Sequence, residues 1–168
     1  MTLKVLVADD HAVVRRGSAD ILDEANDMEL TGEASSGEEV LAMVREGDWD
    51  VVVLDIAMPR MSGLEVLREI KHIRPDLPVL ILSMYEADQY AVRMLRAGAF
   101  GYINKETAPD VLVQAIHEIR QGGRYLSPQV AAALADHLIE PEDEAAHDIL
   151  SDRSRTRSSR VVGRGIDQ

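Results

Sequence analysis

Four consecutive apolar residues, Val51-Val-Val-Leu54, end in a single carboxylate, Asp55, and Pro59 follows closely enough to stop the run. A stretch with no polar position has no face to offer water. It suits a strand covered on both sides, as in a parallel sheet flanked by helices. The pattern recurs. Lys4-Val-Leu-Val-Ala8 runs into Asp9-Asp10, Pro78-Val-Leu-Ile-Leu82 into Ser83, and Gly101-Tyr-Ile103 into Asn104-Lys105, while Met28 to Ala34 supplies one further strand.

Between these runs the spacing turns helical. From His11, residues Val13, Val14, Ala19, Ile21 and Leu22 share a face to about Ala25. Ser36 followed by Glu38 and Glu39 predicts a capped helix ending near Gly47. Further helices are predicted over Gly63–Ile73, over Ala87–Ala97 with a close at Gly98, and from Thr107 or Asp110 to Gly122-Gly123. Five strands alternating with five helices through short connections imply an α/β, doubly wound, five-stranded parallel sheet, most simply in the flavodoxin-like order 2-1-3-4-5. In that order Asp9, Asp10, Asp55, Ser83 and Lys105 all end strands on one edge.

Composition limits what that edge can do. The 168 residues are 46% hydrophobic and contain no cysteine, which removes disulfides and thiolate chemistry. No apolar run is long enough to cross a bilayer and Met1-Thr-Leu-Lys4 enters a strand directly, so a cytoplasmic protein without membrane contact is expected. Net charge is −12. Residues 151–168 hold five Arg against two Asp, or +3, leaving −15 on residues 1–150, which repels a nucleic-acid backbone.

Three carboxylates brought together repel one another, so the edge requires a cation. The five histidines show no metal-ligand spacing, and a site without His or Cys argues against zinc; hard oxygens favour Mg²⁺. Lys105 could pair with Asp55 and then with a phosphoryl group, and Ser83 offers a hydroxyl. Taken singly, these residues read as helix caps and turn residues. Together they describe an aspartate that attacks phosphorus beside a neutralising metal. Neither a nucleophile elbow nor a glycine-rich phosphate loop is present.

The set Asp9-Asp10, Asp55 with Met58-Pro59 and Gly63, Ser83, Tyr102 and Lys105 resembles the receiver domain of two-component response regulators, over residues 3 to about 122. The resemblance implies that Asp55 is the phosphoacceptor and that Asp9, Asp10, Asp55 and the Ala57 carbonyl hold Mg²⁺. It also implies that Ser83 and Lys105 bind the phosphoryl group, that Tyr102 is a switch aromatic, and that a sensor histidine kinase is the donor. The readout would be the face of the fourth helix, fifth strand and fifth helix, through partner binding or dimerisation. Such a domain accepts a phosphoryl group and assists its own turnover; it is not an enzyme in the ordinary sense. For Tyr102 alone, a half-buried place in an edge strand is the plain reading.

Glu106 stands where many receivers have proline. With Ser83-Met84-Tyr85 and Gly122-Gly-Arg-Tyr-Leu-Ser-Pro-Gln-Val130 it resembles the NarL/FixJ, or LuxR-type, subgroup, mostly transcription regulators. Ala57 and Tyr85 take positions that influence water access in receivers, and slow loss of the phosphoryl group is expected. Residues 1–122 form the expected receiver and 123–139 a linker helix capped by Ser127. Residues 140–168 read as a charged linker and a disordered Arg/Ser tail, the remnant of a helix-turn-helix module. Leu150-Ser-Asp-Arg153 and Val161-Val-Gly-Arg-Gly165 resemble pieces of that module, but Ser154 to Arg160 has no apolar position to bury. DNA binding is therefore not expected of this C-terminus. A phosphorylation-controlled receiver acting through protein contacts leads, with a DNA-binding regulator and a metal-dependent phosphatase as the competing readings.

Overall fold

In the computed structural model, residues 2–84 and 89–139 are described. Their order is β1 (Leu3–Ala8), α1 (Ala12–Glu24), β2 (Met28–Ala34), α2 (Gly37–Glu46), β3 (Val51–Asp55), α3 (Gly63–Ile73), β4 (Val79–Ser83), α4 (Gln89–Arg96), β5 (Gly101–Asn104), α5 (Ala108–Arg120) and α6 (Pro128–Ile139). All ladders are parallel, in the order β2-β1-β3-β4-β5, as the alternation of runs and helices predicts. Tyr85 and the whole of residues 140–168 lie outside the described residues, and with them the expected water shield and Arg/Ser tail.

From Val5 onward in β1, and along β3, β4 and most of β5, both faces of the sheet are buried, which explains runs without polar positions. The edge strand β2 instead keeps Glu29, Thr31 and Glu33 exposed. Leu6, Val52, Leu54, Val79, Ile81 and Tyr102 pack with Val40 and Val44 of α2, Val66, Leu67 and Ile70 of α3, and Met94 of α4. The alternate residues Val5, Val7, Val51, Val53, Leu80 and Ile103 pack with Leu22 of α1 and Leu112, Ile116 and Ile119 of α5. Two-residue periodicity divides the strands between these layers. Burying a leucine or isoleucine here is worth about 1.5–3 kcal/mol, and the sum holds the strand ends in place.

Local signals set the boundaries. Ser36 accepts from the Glu39 backbone at the start of α2, and Ser62 and Glu65 form a reciprocal capping box on α3. After α4 the chain turns at Gly98, whose φ of 113° disfavours any residue with a side chain.

The compact unit continues to Ala131. Tyr125 lies along β5: its N–H donates to the Phe100 carbonyl at 3.0 Å, and its carbonyl accepts from Tyr102 N–H at 3.4 Å. Arg124 donates to the Ala99 carbonyl at 2.6 Å and stacks 5.1 Å from the Phe100 ring centroid. Val130, 2% exposed, joins the core. The edge strand is thus covered, and Tyr102 is 2% exposed instead of half-buried.

Candidate functional site

Ala8 pairs with Leu54 across the β1–β3 ladder, so Asp9 and Asp55 are the next residues on neighbouring strands. Both are fully buried, their backbones fixed by hydrogen bonds from Asp9 N–H to Ala34 at 2.9 Å and from Ile56 N–H to Leu82 at 3.2 Å. One side-chain oxygen of each is locally satisfied. Asp9 Oδ1 accepts from His11 N–H at 2.8 Å, and Asp55 Oδ1 accepts from Ala57 N–H at 3.1 Å.

Lys105 follows the last residue of β5 and crosses to this pair, its N–H held by the Ser83 carbonyl at 2.8 Å. The ammonium stands 2.9 Å from Asp9 Oδ2 and 3.1 Å from Asp55 Oδ2. Both contacts are charge-assisted, and one ammonium shared between two carboxylates leaves lone-pair capacity over. That unfilled capacity is what a cation would use.

The electrostatics follow from burial and proximity. Loss of solvent raises the Asp55 pKa, and the charge of Asp9 raises it further, against the opposing Ala57 N–H and Lys105. For Lys105, burial works against the charged form, but the pull of Asp9 and Asp55 outweighs it and holds the pKa above its ordinary value. One ammonium thus serves two carboxylates and leaves the cluster net negative.

Asp10 completes the acidic set, and His11 joins it. His11 Nδ1 lies 3.1 Å from Asp9 Oδ1 and 3.1 Å from Asp10 Oδ1. One ligand atom from each of Asp9, Asp10, His11 and Asp55 falls within 4.8 Å of the others. The expectation of a site without histidine is therefore corrected. His11 is the extended residue before α1 (φ −102°, ψ 115°), and this bend turns the ring back onto the two preceding carboxylates. The run Asp9-Asp10-His11 carried the signal, which a search for helical or turn-type metal spacing overlooks.

Asp9, Asp10, Asp55 and Lys105 are brought together as the sequence implied. Ser83 is buried at the end of β4, and Tyr102 lies on β5 opposite Ile81. Ala57 presents its backbone N–H to Asp55 from an exposed loop. Asp9 and Asp10 do not cap α1 in the usual sense: Asp9 grips the residue before the helix, and Arg15 donates to the Asp9 carbonyl at 2.6 Å. A cavity of about 230 Å³ beside β5, lined by Tyr102, Asn104, Thr107, Tyr125 and Val130 among others, contains none of the acidic cluster.

Packing beneath the β3–α3 loop supports the site. A Cβ on Gly63 would lie 2.6 Å from Ile56 Cα, too close for the backbone to ignore. Gly63→Ala is expected to cost about 1–2 kcal/mol, since the loop must shift to admit the methyl group. Urea unfolding measures it, and a loss below about 0.5 kcal/mol would show that the loop yields freely.

Comparisons with known proteins point to one family. The family model described as the response regulator receiver domain matches residues 5–117. Response regulator GacA of Pseudomonas aeruginosa is 38% identical over 152 residues, covering 90% of this chain and 71% of that protein. Response regulator UvrY of Escherichia coli K12 is 36% identical over 152 residues, with 90% and 70% covered. A crystal structure of a two-component response regulator of the LuxR family from Aurantimonas sp. SI85-9A1 superposes with a TM-score of 0.77 at 32% identity, covering 83% of this chain and 99% of that one. With buried acids, a bridging lysine and this strand order all in place, the chain belongs to the response regulator receiver domain family.

Proposed function

We propose that this protein is a phosphorylation-controlled switch in which Asp55 takes a phosphoryl group from the phosphohistidine of a sensor kinase. The observation that carries the reading is the pair of buried carboxylates, Asp9 and Asp55, that share one ammonium, Lys105, at 2.9 and 3.1 Å. An oxygen of Asp55 attacks phosphorus, the histidine N–P bond breaks, and the electron pair returns to the imidazole. Lys105 is placed to follow the charge from the carboxylate to the phosphoryl oxygens. Asp55 is held for attack by Ala57 N–H, and its burial limits the water that would compete.

The donor set fits Mg²⁺: Asp9, Asp10 and Asp55, with the Ala57 carbonyl as the family's fourth ligand, are hard oxygens around unfilled lone pairs. When bound, Mg²⁺ neutralises charge on the transferring oxygens. Ser83 and Tyr102 sit on neighbouring strands between this site and the α4–β5–α5 face. They are assigned as the switch pair that carries the charge change to a protein partner or a second copy. Residues 1–150 carry −15, so in this reading the receiver does not itself contact a phosphate backbone. Among the described residues no helix is long and apolar enough to cross a membrane.

Incubation with acetyl phosphate and Mg²⁺, followed by mass spectrometry, is expected to find one phosphoryl group per chain on Asp55, and none on Asp55→Asn. Repeated turnover of acetyl phosphate by Asp55→Asn at the wild-type rate would instead identify a hydrolase and overturn the proposal.

A further inference from the structure

His11 is the member of the acidic cluster that phosphoryl transfer leaves unused. It stands at the N-cap of α1, yet its side chain makes no capping hydrogen bond, and histidine is not among the favoured caps. Its ring turns to the carboxylates instead, with Nδ1 at 3.1 Å from an oxygen of Asp9 and 3.1 Å from an oxygen of Asp10. For metal–ligand bonds of about 2.1 Å, adjacent ligands on one ion are roughly 3.0 Å apart in octahedral and 3.4 Å in tetrahedral geometry. The observed separations match those edges. The whole four-residue set lies within 4.8 Å, so closing around one ion requires only small side-chain movement. Independently of the histidine, the two buried carboxylates Asp9 and Asp55 share a single ammonium, Lys105, so the cluster keeps a net negative charge that a cation would balance.

We propose that His11 Nδ1 is a metal ligand, and that it gives this centre an affinity for borderline transition-metal dications such as Ni²⁺, Co²⁺ and Zn²⁺. The inference rests on the reading that Asp9, Asp10 and Asp55 hold a divalent cation. Imidazole nitrogen favours these ions over Mg²⁺, which takes oxygen ligands and keeps several waters. The ring is 64% exposed at the mouth of the site, so it can swing onto an incoming ion or leave room for hydrated Mg²⁺ with little repacking. A transition-metal ion held there would compete with Mg²⁺ for the same carboxylates.

The test is calorimetric titration of the untagged full chain with Ni²⁺ and, separately, with Mg²⁺, in wild type and His11→Asn at one pH. Asparagine is a favoured cap, so α1 keeps its start while the imidazole is removed. Ni²⁺ affinity is expected to fall at least about tenfold, by comparison with the 10–100-fold that even outer-shell partners are worth. Mg²⁺ affinity is expected to stay within about twofold, since its ligands are untouched. In wild type, Zn²⁺ should also shift the His11 Nδ1 resonance in ¹⁵N spectra of the imidazoles. Equal Ni²⁺ affinity in both proteins would overturn the proposal. A parallel loss of Ni²⁺ and Mg²⁺ binding would also overturn it, making His11 a support for the aspartates. Ni²⁺ binding that depends on His11 in a chain whose Asp55 takes no phosphoryl group would uphold the ligand and refute the phosphoryl-transfer reading alone.

Discussion

Lys105→Ala is expected to cost about 3 kcal/mol of folding stability in metal-free buffer, because it leaves two buried carboxylates without their shared counter-ion. Asp9 and Asp55 are fully buried, and the lysine side chain itself is 10% exposed, so solvent screening relieves little of the repulsion. The ion pair of Arg60 with Glu38 is the contrast. Its side chains are 71% and 56% exposed at 3.6 Å, and Arg60→Ala should change stability by less than about 0.5 kcal/mol. Mg²⁺ should stabilise Lys105→Ala more than it stabilises the wild type, since the ion takes over charge the ammonium had balanced. Phosphorylation of Asp55 should slow on the order of a hundredfold, the usual loss when one charge-stabilising donor is removed. Urea unfolding with and without Mg²⁺, alongside acetyl phosphate labelling, measures both effects. A stability loss as small as that of Arg60→Ala would show that Lys105 is not the electrostatic bridge.

Asp55→Asn should act in the opposite direction and raise stability by about 2 kcal/mol near neutral pH without metal, by removing part of the penalty for a buried like-charge pair. The pH signature follows from the raised Asp55 pKa, caused first by burial and then by Asp9. A carboxyl whose folded pKa lies above its unfolded value binds its proton more tightly when folded. Its contribution to stability is fully present below the ordinary aspartate value of 3.8 and is lost as pH rises through the folded pKa. The advantage of Asp55→Asn should therefore be greatest at neutral pH and shrink as pH falls toward 3.8. Saturating Mg²⁺ should narrow it too, by restoring to the wild type the charge balance that the variant no longer needs. An advantage that stayed constant with pH would assign the effect to packing instead of charge. The same substitution also removes the proposed phosphoacceptor, so stability and signalling are expected to trade against each other at this residue.

The fold was legible because its signals are local and repeated. Runs such as Val51–Leu54 and Val79–Leu82 demand two covered faces, and Ser36 and Ser62 mark where α2 and α3 begin. The main site residues were legible for the same reason: each ends an apolar run, and parallel strands place their ends on one edge. Less legible were features that depend on a chain segment returning from elsewhere. Nothing in Gly101-Tyr-Ile103 states that Tyr125 will lie along it, so Tyr102 read as half-buried when the strand is in fact covered. The ring of His11 is not legible in the sequence, because its place in the cluster depends on the conformation of one residue at a helix entrance.

The sheet, its order and the set of acids at its edge are written in the chain, since hydrophobic periodicity and short connections leave few other arrangements. Which atoms of those residues meet follows from packing: Lys105 spans Asp9 and Asp55, and His11 turns toward Asp9 and Asp10. The physical reason is that burial fixes strands to within a residue, whereas charge balance and coordination depend on fractions of an ångström that only the packed chain sets.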